Sequence, residues 1–167
     1  MAYAIGIPAI ILLAIAQSAV VSHLRLAGGQ ADVVLVAVVA WGLTGRSKEA
    51  MVFGLAGGII LDLLSALPIG TTSLILVVIA YLVALTEGRL WGAHLLTPPA
   101  VVFAASLAFS GYQLLASVLA GAAVDWPTIT SRVLLPEAFL NVVLSVPAAQ
   151  LAAALQRLLF PPRVEIG

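Results

Sequence analysis

Cysteine is absent from this chain, and charged residues are scarce. The absence of cysteine excludes disulfides, thiol catalysis and thiolate metal sites. Only 8% of the 167 residues are charged, whereas a soluble domain carries about 25%. Hydrophobic residues make up 63% of the chain, and its mean hydropathy is +1.21. So few polar residues cannot cover the surface of a folded domain in water. The composition therefore predicts an integral membrane protein.

Further absences narrow the function. Seven basic and seven acidic residues give no net charge, so no basic patch is available for nucleic acid. The two histidines, His23 and His94, stand far apart and form no metal pair. The sequence also has no nucleophile–base pair and no glycine-rich phosphate loop after a strand. We therefore expect no enzyme, no cofactor and no metal.

Apolar runs separated by charged or Gly/Pro-rich breaks predict an all-α fold: a compact bundle of six transmembrane helices in a single domain, residues 1–167. The predicted spans are residues 4–21, 31–43, 50–66, 71–85, 95–124 and 132–160. The first run lacks the basic start of a signal peptide, so we expect it to be retained as a span.

Two of the predicted spans, the second and the fourth, are shorter than the roughly 20 residues that a membrane helix needs. We expect them either to recruit flanking residues or to be shielded by longer neighbours. An alternative stays open, in which residues 50–85 form a re-entrant hairpin around Pro68. Pro147 lies inside the sixth span and predicts a kink there.

The distribution of basic residues predicts the orientation in the membrane. With six spans, one side carries five basic residues and the other carries two. The five are Arg46, Lys48, Arg89, Arg157 and Arg163, and the two are Arg25 and Arg132. The excess places both termini in the cytoplasm. The three tryptophans, Trp41, Trp91 and Trp126, lie near predicted span ends, as interfacial tryptophans do.

One carboxylate, Asp62, stands inside the apolar third span. A charge in a bilayer costs several kcal/mol unless protein or water covers it. Gly54, Gly58, Asp62 and Ser65 fall within an arc of roughly 80° on one helix face. We expect this small-residue stripe to be a helix-docking face, which meets either the bundle interior or a partner. Because Asp62 comes just before an external turn, we expect partial contact with water and a structural or partner role.

A second stripe of polar residues follows the fifth span. Ser106, Ser110, Gln113 and Ser117 fall within an arc of roughly 60°. Interhelical hydrogen bonding explains such a polar seam most simply, and a pocket for a small polar ligand is the alternative. Asn141 of the sixth span is a further candidate, since its amide can bond across helices.

Asp32 opens the second span, where we expect it to cap the free N–H groups of the helix. Asp32 and Asp62 both fall toward the external side. They are therefore candidates to pair with a partner's basic residue, or with Arg25 or Arg132 of this chain. Lys48 and Glu49 are expected to be solvated loop charges.

Several segments resemble the MreD family of bacterial rod-shape-determining membrane proteins. The second span opening at Asp32 is similar to the start of that family's second segment. The run 54–65, read GLAGGIILDLLS, with Pro68-Ile69-Gly70 and a fourth span containing Tyr81, resembles its third and fourth segments. Residues 134–141, LLPEAFLN, are similar to its last helix. The resemblance extends over most of the chain.

The resemblance implies a non-enzymatic scaffold subunit of the cell-wall elongation machinery in the bacterial inner membrane. Its expected partner is MreC, a single-span protein, and through it the actin-like MreB, the glycosyltransferase RodA and a penicillin-binding transpeptidase. The family's fold is similar to that of the substrate-binding subunits of energy-coupling-factor vitamin transporters, which supplies the alternative function. Membrane lipids are expected contacts, and a homo-oligomer stays open.

Overall fold

The computed structural model describes residues 2–19, 29–65, 68–86, 96–121 and 129–160. For Ala2, Thr130 and Arg132 it describes the backbone alone. The six α-helices in these ranges are α1 (Ala2–Ala19), α2 (Val33–Leu43), α3 (Ser47–Leu64), α4 (Thr71–Leu85), α5 (Thr97–Leu119) and α6 (Leu135–Leu159). A π-helical segment, Thr130–Leu134, leads into α6. No β-strand occurs in these ranges, so the all-α prediction is confirmed for them.

Two of the helices, α5 and α6, are long and apolar enough to cross a membrane. Only 28% and 22% of their most apolar windows are buried inside the protein, so most of this apolar surface faces outward, as suits lipid. The apolar helices α1, α2 and α4 are shorter than a full span. Helix α3 has 18 residues, three of them charged: Lys48, Glu49 and Asp62.

Helix α2 lies at the centre of the fold. Nine of its 11 residues are buried, and it contacts each of the other five helices. A helix that is hydrophobic on all sides needs such a position. At 1.5 Å per residue it is only about 16 Å long, and the longer helices around it shield it. This is one of the two solutions expected for a short second span.

A tight turn joins α3 to α4, as the Pro68-Ile69-Gly70 sequence predicts. Gly70 has φ +100°, a backbone conformation that favours glycine. The Thr71 hydroxyl donates a hydrogen bond of 2.7 Å to the Pro68 carbonyl. The turn sets α3 and α4 side by side, and they form the most extensive helix pair among those described.

The helices place polar residues at two ends of the bundle. We call one the acidic end; it holds Gln17 near the end of α1, Asp32 before α2, Asp62 near the end of α3 and Glu137 near the start of α6. We call the other the Arg46 end, where α2 ends, α3 begins and α6 ends. Asp32 and Asp62 therefore lie at the same end, as the alternating order of the spans predicts.

Candidate functional site

The Asp62 carboxylate is enclosed by the first turn of α4. Its Oδ1 accepts a hydrogen bond from the Thr72 N–H at 2.7 Å. Its Oδ2 accepts from the Gly70 N–H at 3.0 Å, the Ser73 N–H at 3.1 Å and the Ser73 hydroxyl at 2.8 Å. Asp62 of α3 thus caps the N-terminus of α4. Its negative charge also interacts favourably with the positive end of the α4 dipole. The expected partial contact with water is wrong, since only 2% of Asp62 is exposed.

The glycines of the Asp62 stripe lie against the backbone of α4. A Cβ added to Gly58 would lie 2.3 Å from the Ser73 Cα, and one added to Gly54 would lie 3.3 Å from the Leu76 carbonyl. The two helices therefore approach more closely there than side chains allow. Ser65 follows α3, and its hydroxyl donates to the Asp62 backbone carbonyl at 3.3 Å. The stripe faces the protein's own hairpin, and a role in partner binding stays a prediction.

A hydrogen-bonded network at the acidic end joins α1, α2 and α6. The Gln17 amide donates to Asp32 Oδ1 at 3.0 Å, and its Oε1 accepts the Val34 N–H at 2.8 Å. The Asp32 N–H donates to Asn141 Oδ1 at 2.7 Å. The capping role expected of Asp32 is wrong, because its side chain makes no cap hydrogen bond. Gln17 of α1 accepts the N–H that such a cap would take.

The network continues from α6 into α5 through part of the polar seam. Asn141 is fully buried and donates to the Ser106 hydroxyl at 3.0 Å. Ser110 donates to Glu137 Oε1 at 2.8 Å.

The other two seam residues, Gln113 and Ser117, differ from Ser106 and Ser110, which bond to α6. Ser117 donates to the Gln113 carbonyl of its own helix at 2.9 Å, and Gln113 is half-buried. Arg25, one of the expected partners of the aspartates, lies outside the described residues, as does the Arg132 side chain.

Sequence reasoning missed Gln17 and gave Glu137 no partner. The available signal was a lone amide and a lone carboxyl within apolar helices, because such groups need partners away from water.

A separate polar cluster closes the Arg46 end. Glu49 is buried and accepts from the Trp41 indole at 3.0 Å and from Arg46 Nε at 2.7 Å. Bonding to Glu49 raises the pKa of Arg46 above its ordinary value, so the pair is charged. The Arg46 guanidinium also stacks 3.3 Å from the ring centre of Phe160, the residue that follows α6.

The cluster corrects one expectation. Glu49 is not a solvated charge, because α3 begins at Ser47 and turns this side chain toward α2. Trp41 lies two residues before the end of α2, near a span end as predicted, and it is buried. Trp91 and Trp126 lie outside the described residues.

A cavity of about 600 Å³ opens between α4 and α5. Small residues of α5 line one wall, among them Ala100, Ala104 and Ala108. Among the lining residues in the described part of the chain, Thr86 and Thr97 carry the hydroxyls. In the described ranges, no group of three or more His, Asp or Glu side chains is arranged to hold a metal.

The fold and its apolar surface define a class of protein: a helical membrane protein whose buried polar groups join its helices. The family model "rod shape-determining protein MreD" matches residues 2–157, almost the whole chain. The chain belongs to the MreD family, which is a family of shape-determining membrane proteins linked to the MreC/MreB system. It is not a known enzyme family. No curated protein and no solved structure matches the chain.

Proposed function

We propose that the chain is a non-enzymatic, multi-pass scaffold of the bacterial inner membrane that binds an MreC-like single-span partner during cell-wall elongation. The family match over residues 2–157 carries the proposal. Through that partner the chain meets MreB, RodA and a penicillin-binding transpeptidase. The whole of residues 1–167 acts as one membrane domain.

The proposed arrangement has six spans and both termini in the cytoplasm. The alternating order of the six helices and the five-to-two excess of basic residues support it. The acidic end is then external and the Arg46 end cytoplasmic. The short α2 crosses only part of the bilayer thickness and is covered by its neighbours.

The shape of the molecule favours a scaffold over a vitamin binder. A scaffold is expected to offer lipid-facing grooves built from small residues, and the alanine-lined cavity between α4 and α5 has that character. A polar vitamin needs several converging polar groups, whereas the described part of that lining offers two hydroxyls. The polar side chains at the acidic end bond to one another.

Affinity capture from detergent-solubilised membranes of a rod-shaped bacterium tests the proposal. The tagged chain is expected to recover an MreC-like single-span protein in stoichiometric amount. Recovery of an ATP-driven transporter module in its place would contradict the scaffold function and support the vitamin-binding alternative.

A matched pair of variants tests whether the hairpin carries this function. Gly58→Leu pushes α3 from α4, because an added Cβ meets the Ser73 backbone, whereas a Cβ added to Gly111 would have nothing within 4 Å. We expect G58L to lower partner recovery several-fold and to round the cells, and G111L to do neither. Equal recovery with both variants, at equal membrane levels, would show that the hairpin is not needed for binding.

A further inference from the structure

Among the described residues of the six α-helices, one hydrogen-bonding side chain is exposed far from a helix end. Gln150 of α6 is exposed. At 1.5 Å per residue it lies roughly 22 Å from the start of the helix and roughly 14 Å from its end. The other exposed polar side chains of these helices lie within four residues of a helix end, where water is near: Tyr3, Lys48, Tyr81 and Arg157.

The Gln150 amide lies at a depth where lipid offers no hydrogen bond. Helix α6 is long and apolar enough to cross a membrane, and Gln150 stands three residues from its midpoint. A hydrocarbon core of about 30 Å therefore surrounds this side chain. No hydrogen bond joins its amide to another of the described residues. An unpaired amide in lipid is costly, and such groups bond across to another helix.

A second polar group lacks its usual helical partner one turn away. Pro147 has no N–H, so the Val143 carbonyl lacks the donor that an α-helix ordinarily supplies. Val143 and Pro147 are both exposed. In a membrane, neighbouring helices are among the groups that satisfy a carbonyl freed in this way. The same side of α6 therefore has two reasons to meet another helix.

Gln150 belongs to a continuous exposed face of α6. Five exposed residues fall within an arc of roughly 80°, and we call them the Gln150 face: Phe139, Val143, Pro147, Gln150 and Ala154. The buried residues by which α6 packs in the fold lie on the opposite side: Ala138, Asn141, Ser145 and Ala152. Another helix can therefore lie along the Gln150 face without disturbing the fold.

A second copy of the chain has the chemistry that this face requires. Two copies share one orientation in a membrane, so their Gln150 side chains stand at the same depth when the two faces meet. An amide carries both a donor and an acceptor, so two amides can form reciprocal hydrogen bonds about a two-fold axis. The Gln150 face contains no charged residue that would repel its counterpart.

We propose that the chain forms a symmetric dimer in the membrane, in which the Gln150 face packs against that of a second copy and the two Gln150 amides bond to each other. Pro147 and Ala154, on either side of Gln150 along the helix, are compact and let the two backbones approach. Arg157 lies two residues before the end of α6, where headgroups and water are within reach. Repulsion between the two arginines makes the helices cross at Gln150 and diverge toward that end.

Energy transfer between labelled copies of the full-length chain, reconstituted alone in phosphatidylcholine vesicles, tests the dimer. Donor and acceptor dyes are attached at Lys48→Cys, an exposed position outside α6. Transfer is expected to rise with the protein-to-lipid ratio and to saturate, and unlabelled wild type should abolish it by competition. Transfer that stays at the level of random proximity at every ratio overturns the proposal.

Two substitutions of Gln150 test the amide itself. Gln150→Leu suits both a helix and lipid, so the variant should insert and melt like the wild type. Loss of the two amide hydrogen bonds is expected to weaken association about tenfold. Gln150→Asn keeps an amide and should retain most of the affinity. Association of Q150L equal to that of the wild type overturns the proposal.

Arg157→Gln tests whether the charge near the face takes part. The variant is expected to associate at least as tightly as the wild type, because it removes repulsion between the two copies. Loss of association in R157Q, with Q150L unaffected, would show that Arg157 rather than Gln150 joins the copies, which refutes the proposed contact.

Cysteine cross-linking in native membranes tests the face independently, since the chain has no cysteine of its own. Ala154→Cys lies on the Gln150 face and is expected to form a disulfide with its counterpart on mild oxidation. Leu107→Cys lies on the exposed side of α5 and is the control, which should stay monomeric. Cross-linking of L107C but not of A154C would place the contact elsewhere and overturn the proposal.

A single-span partner is the other occupant that these experiments distinguish. If the purified chain stays monomeric and Q150L instead lowers recovery of an MreC-like protein in affinity capture, the Gln150 face belongs to that partner and the dimer is refuted. Because the vesicles contain this chain alone, the dimer can fail while the proposed scaffold function stands.

Discussion

At the scale of single residues, the buried acids differ in how their charge is stabilised. Asp62 accepts two hydrogen bonds from N–H groups in the first turn of α4 and one from Gly70 before it, which suit an anion. Glu49 is paired with Arg46. Asp32 instead accepts a hydrogen bond from the neutral Gln17 amide.

Loss of the Asp62 carboxylate is expected to destabilise the protein. Asp62→Ala leaves buried N–H groups of α4 unpaired, and Asp62→Asn points an amide N–H at one of them. We expect each to cost about 2–4 kcal/mol, measured as the free energy of unfolding in SDS titration. Ser117→Ala, which removes a bond within α5, should cost no more than about 0.5 kcal/mol and is the control. Equal losses in all three variants would contradict the capping role.

Within the polar seam, one serine is expected to matter more than the others. Ser106→Ala removes the acceptor of the buried Asn141 amide, so we expect a loss of about 1–3 kcal/mol. Because S117A alters only a bond along its own helix, the difference between S106A and S117A in the same titration measures the interhelical contact. The double variant S106A/N141A should then lose less than the sum of the single changes.

At the scale of helices, the α3–α4 pair depends on close backbone contact. Gly54 and Gly58 face α4, and Gly57 faces α1 and α2, where an added Cβ would lie 2.9 Å from Val34. The third helix is thus packed through glycine on two sides.

Adding one methyl group to this interface is expected to separate the helices. Gly58→Ala forces its Cβ into the Ser73 backbone, and overpacking of this kind costs about 1–3 kcal/mol. Gly111→Ala has open space around it and should be neutral or stabilising by up to about 1 kcal/mol, since alanine favours a helix. Unfolding of both variants in matched detergent gives the comparison, and a G58A variant as stable as G111A would show that the interface is loose.

The sequence predicted the helices well and their contacts less well. Length and apolar content locate α4 at its observed bounds and α2 within two residues. They do not say which face meets which helix. Asp62 was recognised as a group that needs cover, yet its four donors come from a turn whose geometry depends on Gly70. Glu49 was misplaced because the start of α3 was put three residues too late.

The contacts of the polar network were also not predicted, because they join residues that are far apart in the sequence. Asp32 and Asn141 are 109 residues apart, and the spacing within one helix cannot show that they meet. Ser106 and Ser110 were found through their helical periodicity, which indicates a common face. Their partners on α6 depend on how the two long helices cross, and this is a property of the whole fold.

At the scale of the whole molecule, the proposed orientation can be tested with single cysteines, because the chain has none of its own. Ile69 is 75% exposed at the acidic end, and Lys48 is exposed at the Arg46 end. In intact cells a membrane-impermeant maleimide is expected to label Ile69→Cys, and to label Lys48→Cys only after permeabilisation. Labelling of both from outside would refute the alternating spans, and the reverse pattern would refute the orientation.

The enclosure of Asp62 has a consequence for biosynthesis. All four donors to its carboxylate lie in residues 70–73, which leave the ribosome after α3 has already been made. While α3 alone has been made, the Asp62 carboxylate has none of these donors. We therefore expect the release of α3 from the translocon into lipid to be disfavoured until α4 has emerged. In the proposed six-span arrangement, the hairpin rather than the single helix is therefore the unit expected to partition into the bilayer.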